Sequence, residues 1–421
     1  MRFRTDTSQG DTGKALIAFC KSETALISGL ILLHWSQSVT LVLGRNIGRA
    51  SLVCGFLLIV GCCLWRGQLR PKGTTWIGGA VYYATVLMVN SVVLKHEVLS
   101  SPLAITFHLI VIALLICGFV LGATQHRVPQ HPTSGIHVGM AAVVIGLSIF
   151  FARRLQAIGV HGSRAFGDMD LNPNGVAYVN MCLGLIFLVL AIKDKSSVSR
   201  ILCSGAAAST TVLVLGSASR GAVLWGAVVG VLLLFVQRIG LSRIYRLLQV
   251  LVLVLITGLV TTYAARRYPV IQNRIDHLKY RFTSIIEDIE SSQIRDMSIS
   301  ARRSQMEYYR HIVGHWWLNG LPKYNSYPHN QWLEIAVRFG MLGLPFLIFS
   351  LWSGTKALQR LIRGGPGLSR EELVVYTLFV FAYLQSMSSL SLQVNRVLFL
   401  GFGYVLGAHA AQKGHESIQP S

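Results

Sequence analysis

Ser219-Arg220-Gly221, Arg302-Arg303 and Pro328-His329-Asn330 are the residues whose types and surroundings suit chemistry on a charged group. A guanidinium stays charged at physiological pH and forks onto phosphate oxygens through two parallel hydrogen bonds. Arg220 sits in a turn so short that it must lie at or just below a membrane interface. An arginine there costs a few kcal/mol unless it is paired or faces a wet cavity. His329 falls where a long polar segment runs into an apolar one, followed by Leu333, Glu334, Gly340 and Gly343. A lone histidine is either hydrogen-bonded structure or a proton carrier, and its type alone leaves both open. No Cys/His spacing reads as zinc, and no glycine-rich loop ending in Gly-Lys-Ser/Thr cradles phosphate. Asp168-Met-Asp170 is a paired carboxylate that suits either a divalent cation or an ordinary solvated loop.

The elements that must hold these residues are bilayer spans. The chain is 52% hydrophobic and 13% charged, with a mean hydropathy of +0.53, so most of its surface faces hydrocarbon. Apolar runs of about 20 residues fall at about 24–44, 50–66, 75–94, 102–123, 134–152, 175–192, 200–217, 221–237, 243–263, 332–353, 372–391 and 396–411. The expected fold is an all-α integral membrane protein of about twelve spans, with both termini on one side. Its parts are spans one to nine over 1–264, a long polar loop with amphipathic helices over 265–331, and the last three spans with a tail over 332–421.

Orientation follows from basic residues in the short connections. With the N-terminus inside, short inner segments carry about twice the Lys and Arg of short outer ones. The long loop is exempt from that rule and is expected on the outer, periplasmic side. The residues before Thr24 are polar and charged and carry no pattern of a removable signal, so the first span is expected to direct insertion. Seven cysteines lie in or beside predicted spans, and none falls in the long loop, so no disulfide framework is indicated. The net charge of +21 is mostly inner-side topology signal rather than a continuous patch, and no nucleic-acid partner is expected.

Within the long loop, Ile275, Leu278, Phe282, Ile285, Ile286 and Ile289 recur at helical spacing among charged residues. That pattern predicts an amphipathic helix lying on the membrane or on the bundle. A second helix is predicted over 301–317, carrying Tyr308, Tyr309, Trp316 and Trp317. Aromatics with basic residues there suit an interfacial belt, sugar stacking or lipid headgroups.

Together these residues resemble the O-antigen ligase family, in the superfamily that also holds O-antigen polymerases and bacterial protein O-oligosaccharyltransferases. The resemblance rests on Ser219-Arg220-Gly221, on Ser298-Ile-Ser-Ala-Arg302-Arg303, and on His329-Asn330-x-x-Leu333-Glu334 with Gly340 and Gly343. Asn172-Pro173-Asn174-Gly175 is a weaker fourth match. It implies a GT-C-type glycosyltransferase of the bacterial inner membrane with a periplasmic active site and no metal or other cofactor. The implied reaction moves a glycan from undecaprenyl pyrophosphate onto the lipid A-core of lipopolysaccharide.

On that resemblance Arg220 and Arg302 stabilise the departing pyrophosphate, with Arg303 the alternative because the pair shifts the match by one residue. His329 is the expected general base, or else it orients the acceptor or binds phosphate as imidazolium. Asn330 and Glu334 are expected to support the imidazole, although a carboxylate near a helix start is favourable anyway. Arg266, Arg267, Arg164 and Asn174 are placed near the donor. His311 and His315 offer competing imidazoles. A polymerase using the same donor is the nearest rival, and Arg303 with Gly314 fits its loose Arg-x10-Gly spacing. A protein O-oligosaccharyltransferase and a lipid or oligosaccharide transporter stand further off, the latter because one long loop has no counterpart in the first half.

Overall fold

In hydrocarbon a backbone must bond to itself, and an isolated segment can do so only as a helix. A computed structural model of the chain describes residues 17–67, 84–85, 102–125, 135–158, 173–217, 219–236, 255, 257–291, 297–321, 330–388 and 395–416. Every regular element among these residues is helical, with no strand. The helices are α1 (Glu23–Leu43), α2 (Arg45–Gly67), α3 (Pro102–Thr124), α4 (Gly135–Ile158), α5 (Pro173–Lys193), α6 (Ser197–Gly216) and α7 (Arg220–Val236). After a helical stretch over 257–267 come α8 (Pro269–Ser291), α9 (Met297–His311), α10 (Val313–Trp316), α11 (Gln331–Phe339), α12 (Leu344–Gly364), α13 (Arg370–Ser386) and α14 (Arg396–Glu416).

Among the described residues, five stretches are long and apolar enough to cross a membrane: Asn46–Arg66, Gly135–Arg153, Asn174–Lys193, Ser197–Gly216 and Gln331–Gly364. The described part of the protein is all-helical, and its long apolar helices embed it in a membrane. All but two residues of the predicted span at 75–94 and most of that at 243–263 lie outside the described residues. The predicted span at 332–353 differs in form: it is broken by a tight 3-10 turn at Gly340–Gly343, and α12 then continues to Gly364.

α5 and α13 form the centre. Both are almost wholly buried, and the rings of Tyr178 and Phe381 stack between them at 5.6 Å. α3 and α14 run side by side with their backbones in contact. A Cβ on Gly118 or Gly122 would collide with the Leu400 or Tyr404 carbonyl, and one on Gly403 or Gly407 with those of Leu115 or Phe119. Both helices thus carry glycines four apart on the touching face, the small-residue pattern that lets helices pack where no hydrophobic force drives them together.

One end of the bundle is held by paired charge. Arg66, fully buried, donates to Glu371 at 2.8 Å and to the Ser22 carbonyl at 3.0 Å. Arg370 pairs with Glu23 at 3.5 Å and Arg360 with Glu372 at 3.3 Å, while Lys193 Nζ donates to the Leu368 carbonyl at 2.7 Å. These bonds join ends of α1, α2, α5, α12 and α13. Ser369 and Glu372 also close a capping box at the start of α13. All seven cysteines are free thiols.

Breaking a buried pair on one side costs about 3–5 kcal/mol, whereas replacing both partners by apolar groups is often neutral. Arg66→Met should therefore lower the unfolding temperature in detergent, and Arg66→Met/Glu371→Leu should recover most of the loss. A double variant no more stable than the single one would remove the ion pair as the cause.

Candidate functional site

At the opposite end of α5 and α13, side chains from four helix starts and one helix end join in a ring. Asn174, in the first turn of α5, accepts a hydrogen bond from the Ser219 hydroxyl at 3.0 Å, which brings the start of α7 alongside. Gly221, one residue further, sits so close to the end of α13 that a Cβ would lie 2.8 Å from Ser388 Oγ and 3.1 Å from Gln385 Nε2. Asn330 caps α11 by accepting from the backbone N–H groups of Trp332 and Leu333 at 2.9 and 3.1 Å. Its amide nitrogen donates to the Met387 carbonyl at 3.1 Å, fixing the start of α11 to the end of α13.

Asn395, fully buried just before α14, closes the ring. Its amide nitrogen donates to Gln331 Oε1 at 3.0 Å and to the Ala382 carbonyl at 3.1 Å. Its oxygen accepts from the Tyr178 hydroxyl at 2.8 Å, one turn along α5 from Asn174. At 1.5 Å per residue, Ala382 is about 18 Å along α13 from Arg370 at the ion-paired end. The ring therefore lies toward the end of α13 remote from the ion-paired end, and the last residue of α13, Ser386, is about 24 Å from Arg370. Four helix N-termini meet there, each carrying part of a positive charge, and at α11 the Asn330 side chain takes the Trp332 and Leu333 N–H groups. Arg220 adds a permanent cation at the start of α7.

Arg220 is half-buried, and one guanidinium nitrogen donates to the Arg281 carbonyl on α8 at 3.1 Å. The Ser284 hydroxyl donates to the same carbonyl at 3.1 Å. α8 is the predicted amphipathic helix, and it packs on α4, α6 and α7. The polar segment before α11 is thereby tied to the edge of the ring.

The rest of that segment is clasped to α11. The Leu321 N–H donates to the Val337 carbonyl at 2.7 Å, and the Met341 N–H to the Leu318 carbonyl at 3.1 Å. Gly320 and Gly340 adopt φ of 76° and 55°, and a side chain on either would strike the other strand of the clasp. Tyr309, buried on α9, accepts through its carbonyl from Trp316 Nε1 at 2.8 Å. Burial, helped by neighbouring Tyr308 and Glu334, pushes its phenol up to about 12.

Of the residues singled out from sequence, the ring brings together Asn174, Arg220 and Asn330. His329 and Arg164 lie outside the described residues, as do Asp168 and Asp170, but Asn330 is the chain neighbour of His329. Both ends of the Asn330 amide are committed, to the cap and to Met387. Glu334 is buried and pairs with Arg338 one turn on at 3.2 Å. Arg303 is exposed and pairs with Glu307 at 2.9 Å, Arg302 is half-buried beside it on α9, and Arg266 and Arg267 are exposed before α8. None of these last four belongs to the ring. His311 and His315 are also exposed.

Sequence reasoning missed Tyr178, Gln331, Asn395 and Arg396. The one local signal was a polar Asn-Arg pair directly before an apolar helix, and it has no spacing of its own.

Compared with known proteins, the chain matches no family model and no curated relative.

Removing a buried donor strands its partners at about 1–3 kcal/mol each. Asn395→Leu strands both the Gln331 oxygen and the Tyr178 hydroxyl, so it should destabilise clearly more than Tyr178→Phe, which removes one bond worth about 1 kcal/mol. Thermal unfolding of the two variants in detergent checks this, and equal, negligible effects would dissolve the ring as a structural unit.

Proposed function

We propose that this chain is a GT-C-type glycosyltransferase acting as an O-antigen ligase. It transfers a glycan from undecaprenyl pyrophosphate to the lipid A-core of lipopolysaccharide, in the bacterial inner membrane with its active site facing the periplasm. The observation that carries the reading is the convergence of Asn174, the start of α7 with Arg220, and Asn330, the neighbour of His329, on one ring of helix N-termini. That is what a reaction on a lipid-borne anion needs.

In the reaction, a hydroxyl oxygen of the acceptor sugar attacks the anomeric carbon of the donor glycan from the face opposite the diphosphate. A new glycosidic bond forms as the carbon–oxygen bond to the diphosphate breaks, and its electron pair leaves with the diphosphate. In-line displacement inverts the anomeric centre. His329, as the neutral imidazole, takes the hydroxyl proton. Arg220 and the helix N-termini disperse the charge that grows on the leaving group, which a preorganised site does without reorganising at the moment of reaction. Arg302 on α9 reaches the same diphosphate from the polar segment, with Arg303 held by Glu307 beside it. Arg266 and Arg267, exposed before α8, attract the donor, and the resemblance gives Arg164 the same role.

The test uses a strain that lacks its own ligase. Supplying this chain should restore O-antigen on lipid A-core. His329→Ala should abolish transfer with protein level unchanged, and Arg220→Lys, which keeps the charge but loses the fork, should cut it by about tenfold or more. Full transfer by His329→Ala removes the assigned base. Long lipid-linked glycan without lipopolysaccharide modification would replace the ligase reading by a polymerase.

A further inference from the structure

Arg396 is the first residue of α14, next to Asn395 in the ring. Four other arginines of the bundle place a guanidinium nitrogen on a carboxylate: Arg66 on Glu371, Arg338 on Glu334, Arg360 on Glu372 and Arg370 on Glu23. Arg396 is part-buried, and among the described residues no carboxylate meets it. Its Nε is buried with no hydrogen-bond partner. Arg66 and Arg360 also leave Nε open, but each has another nitrogen on its acid. The groups within electrostatic reach of Arg396 are Tyr178, whose hydroxyl is given to Asn395, and His34, whose Nδ1 meets the Leu30 carbonyl at 2.7 Å. Neither is an anion.

A cation with a buried, partnerless Nε costs free energy unless something neutralises it. The helix N-termini around it make that worse, because they add positive charge rather than cancel it. A second group points to the same missing ligand. Gln331 is fully buried, spends its oxygen on Asn395, and leaves its amide nitrogen without a partner. An open guanidinium Nε and an idle amide donor, on residues joined through Asn395 among helix N-termini, want a ligand rich in negative oxygens.

We propose that Arg396, with the Gln331 amide, binds a phosphate of the lipid-linked diphosphate. This rests on the glycosyltransferase reading and extends it with two donor-binding residues that no sequence motif marks. Arg220 and Arg396 then approach the diphosphate from different helices. The unliganded cation raises the energy of the empty site, and that cost is recovered when the donor enters.

The experiment titrates the purified full chain in detergent with farnesyl diphosphate, farnesol and inorganic diphosphate, following thermal stability and affinity. Farnesyl diphosphate should stabilise the wild-type protein, and farnesol should not. Arg396→Gln should weaken farnesyl diphosphate binding by about tenfold or more, and Arg396→Lys, which keeps charge without the fork, should weaken it less. Without ligand, Arg396→Gln should unfold at or above the wild-type temperature, because it removes an uncompensated charge, an outcome that a merely structural arginine would not give. A much lower unfolding temperature for both unliganded variants would make Arg396 structural and overturn the proposal. Binding by Arg396→Gln equal to wild type, alongside loss in Arg220→Gln, overturns it and leaves the ligase reading standing. Wild-type protein that responds to farnesyl diphosphate no more than to farnesol overturns both. Inorganic diphosphate binding as tightly as the farnesyl form would assign the site to a free anion and overturn the lipid as its source.

Discussion

A helix end carries open N–H or C=O groups, and inside an apolar layer these must find partners or face water. In this chain α11 and α14 start where α13 ends, around the fully buried Asn395. Asn395 makes that arrangement tenable, since one amide serves Gln331, the Ala382 carbonyl and Tyr178 together. Asn330 does the same work at the other side of the ring, capping α11 while holding the Met387 carbonyl. The breaks in the helices and the place where chemistry can occur have one origin: backbone that leaves the helix at this depth has to be enclosed by protein or line a cavity.

The two ends of the central helices handle charge in opposite ways. At the Arg66 end, acids and bases alternate and neutralise one another, with Arg66–Glu371 almost free of solvent. Such a cluster holds helix ends in register and balances charge within itself. Around the ring the sign is one-sided. Arg220, Arg396 and four helix N-termini share the space, and the nearby carboxylate of Glu334 is spent on Arg338. Paired charge holds the ion-paired end, and on the proposed reading the excess positive charge around the ring suits an anion.

Much of this was legible from spacing. Apolar runs marked α1, α2, α4, α5 and α6 within a few residues, because a bilayer imposes one length on all of them. The period of Ile275, Leu278 and Phe282 marked α8 for the same kind of reason. Arg220 was legible as an arginine too close to hydrocarbon to be idle. The break at Gly340–Gly343 was not, because glycine is common in spans and the clasp with Gly320 joins residues that no periodicity links. Nor were Tyr178, Gln331 and Asn395. Each looks like an ordinary polar residue near a span end, and their meaning comes from partners hundreds of positions apart in one case and from a helix that starts late in another.

The depth of the ring also bears on why guanidinium suits this site. Coulomb attraction between unit charges a few ångströms apart rises severalfold as the surroundings change from water to protein interior. The same change makes an unmatched charge costly, so a site at this depth is strong only if donors and ligand balance. A diphosphate on a lipid carries its own apolar tail, which occupies hydrocarbon while the anion reaches inward. A soluble nucleotide sugar would have to leave water altogether to reach the same residues. On the proposed reading, the arginines and helix N-termini of the ring suit a substrate already resident in the membrane, and α8 is bonded to Arg220 at the edge of the ring through the Arg281 carbonyl.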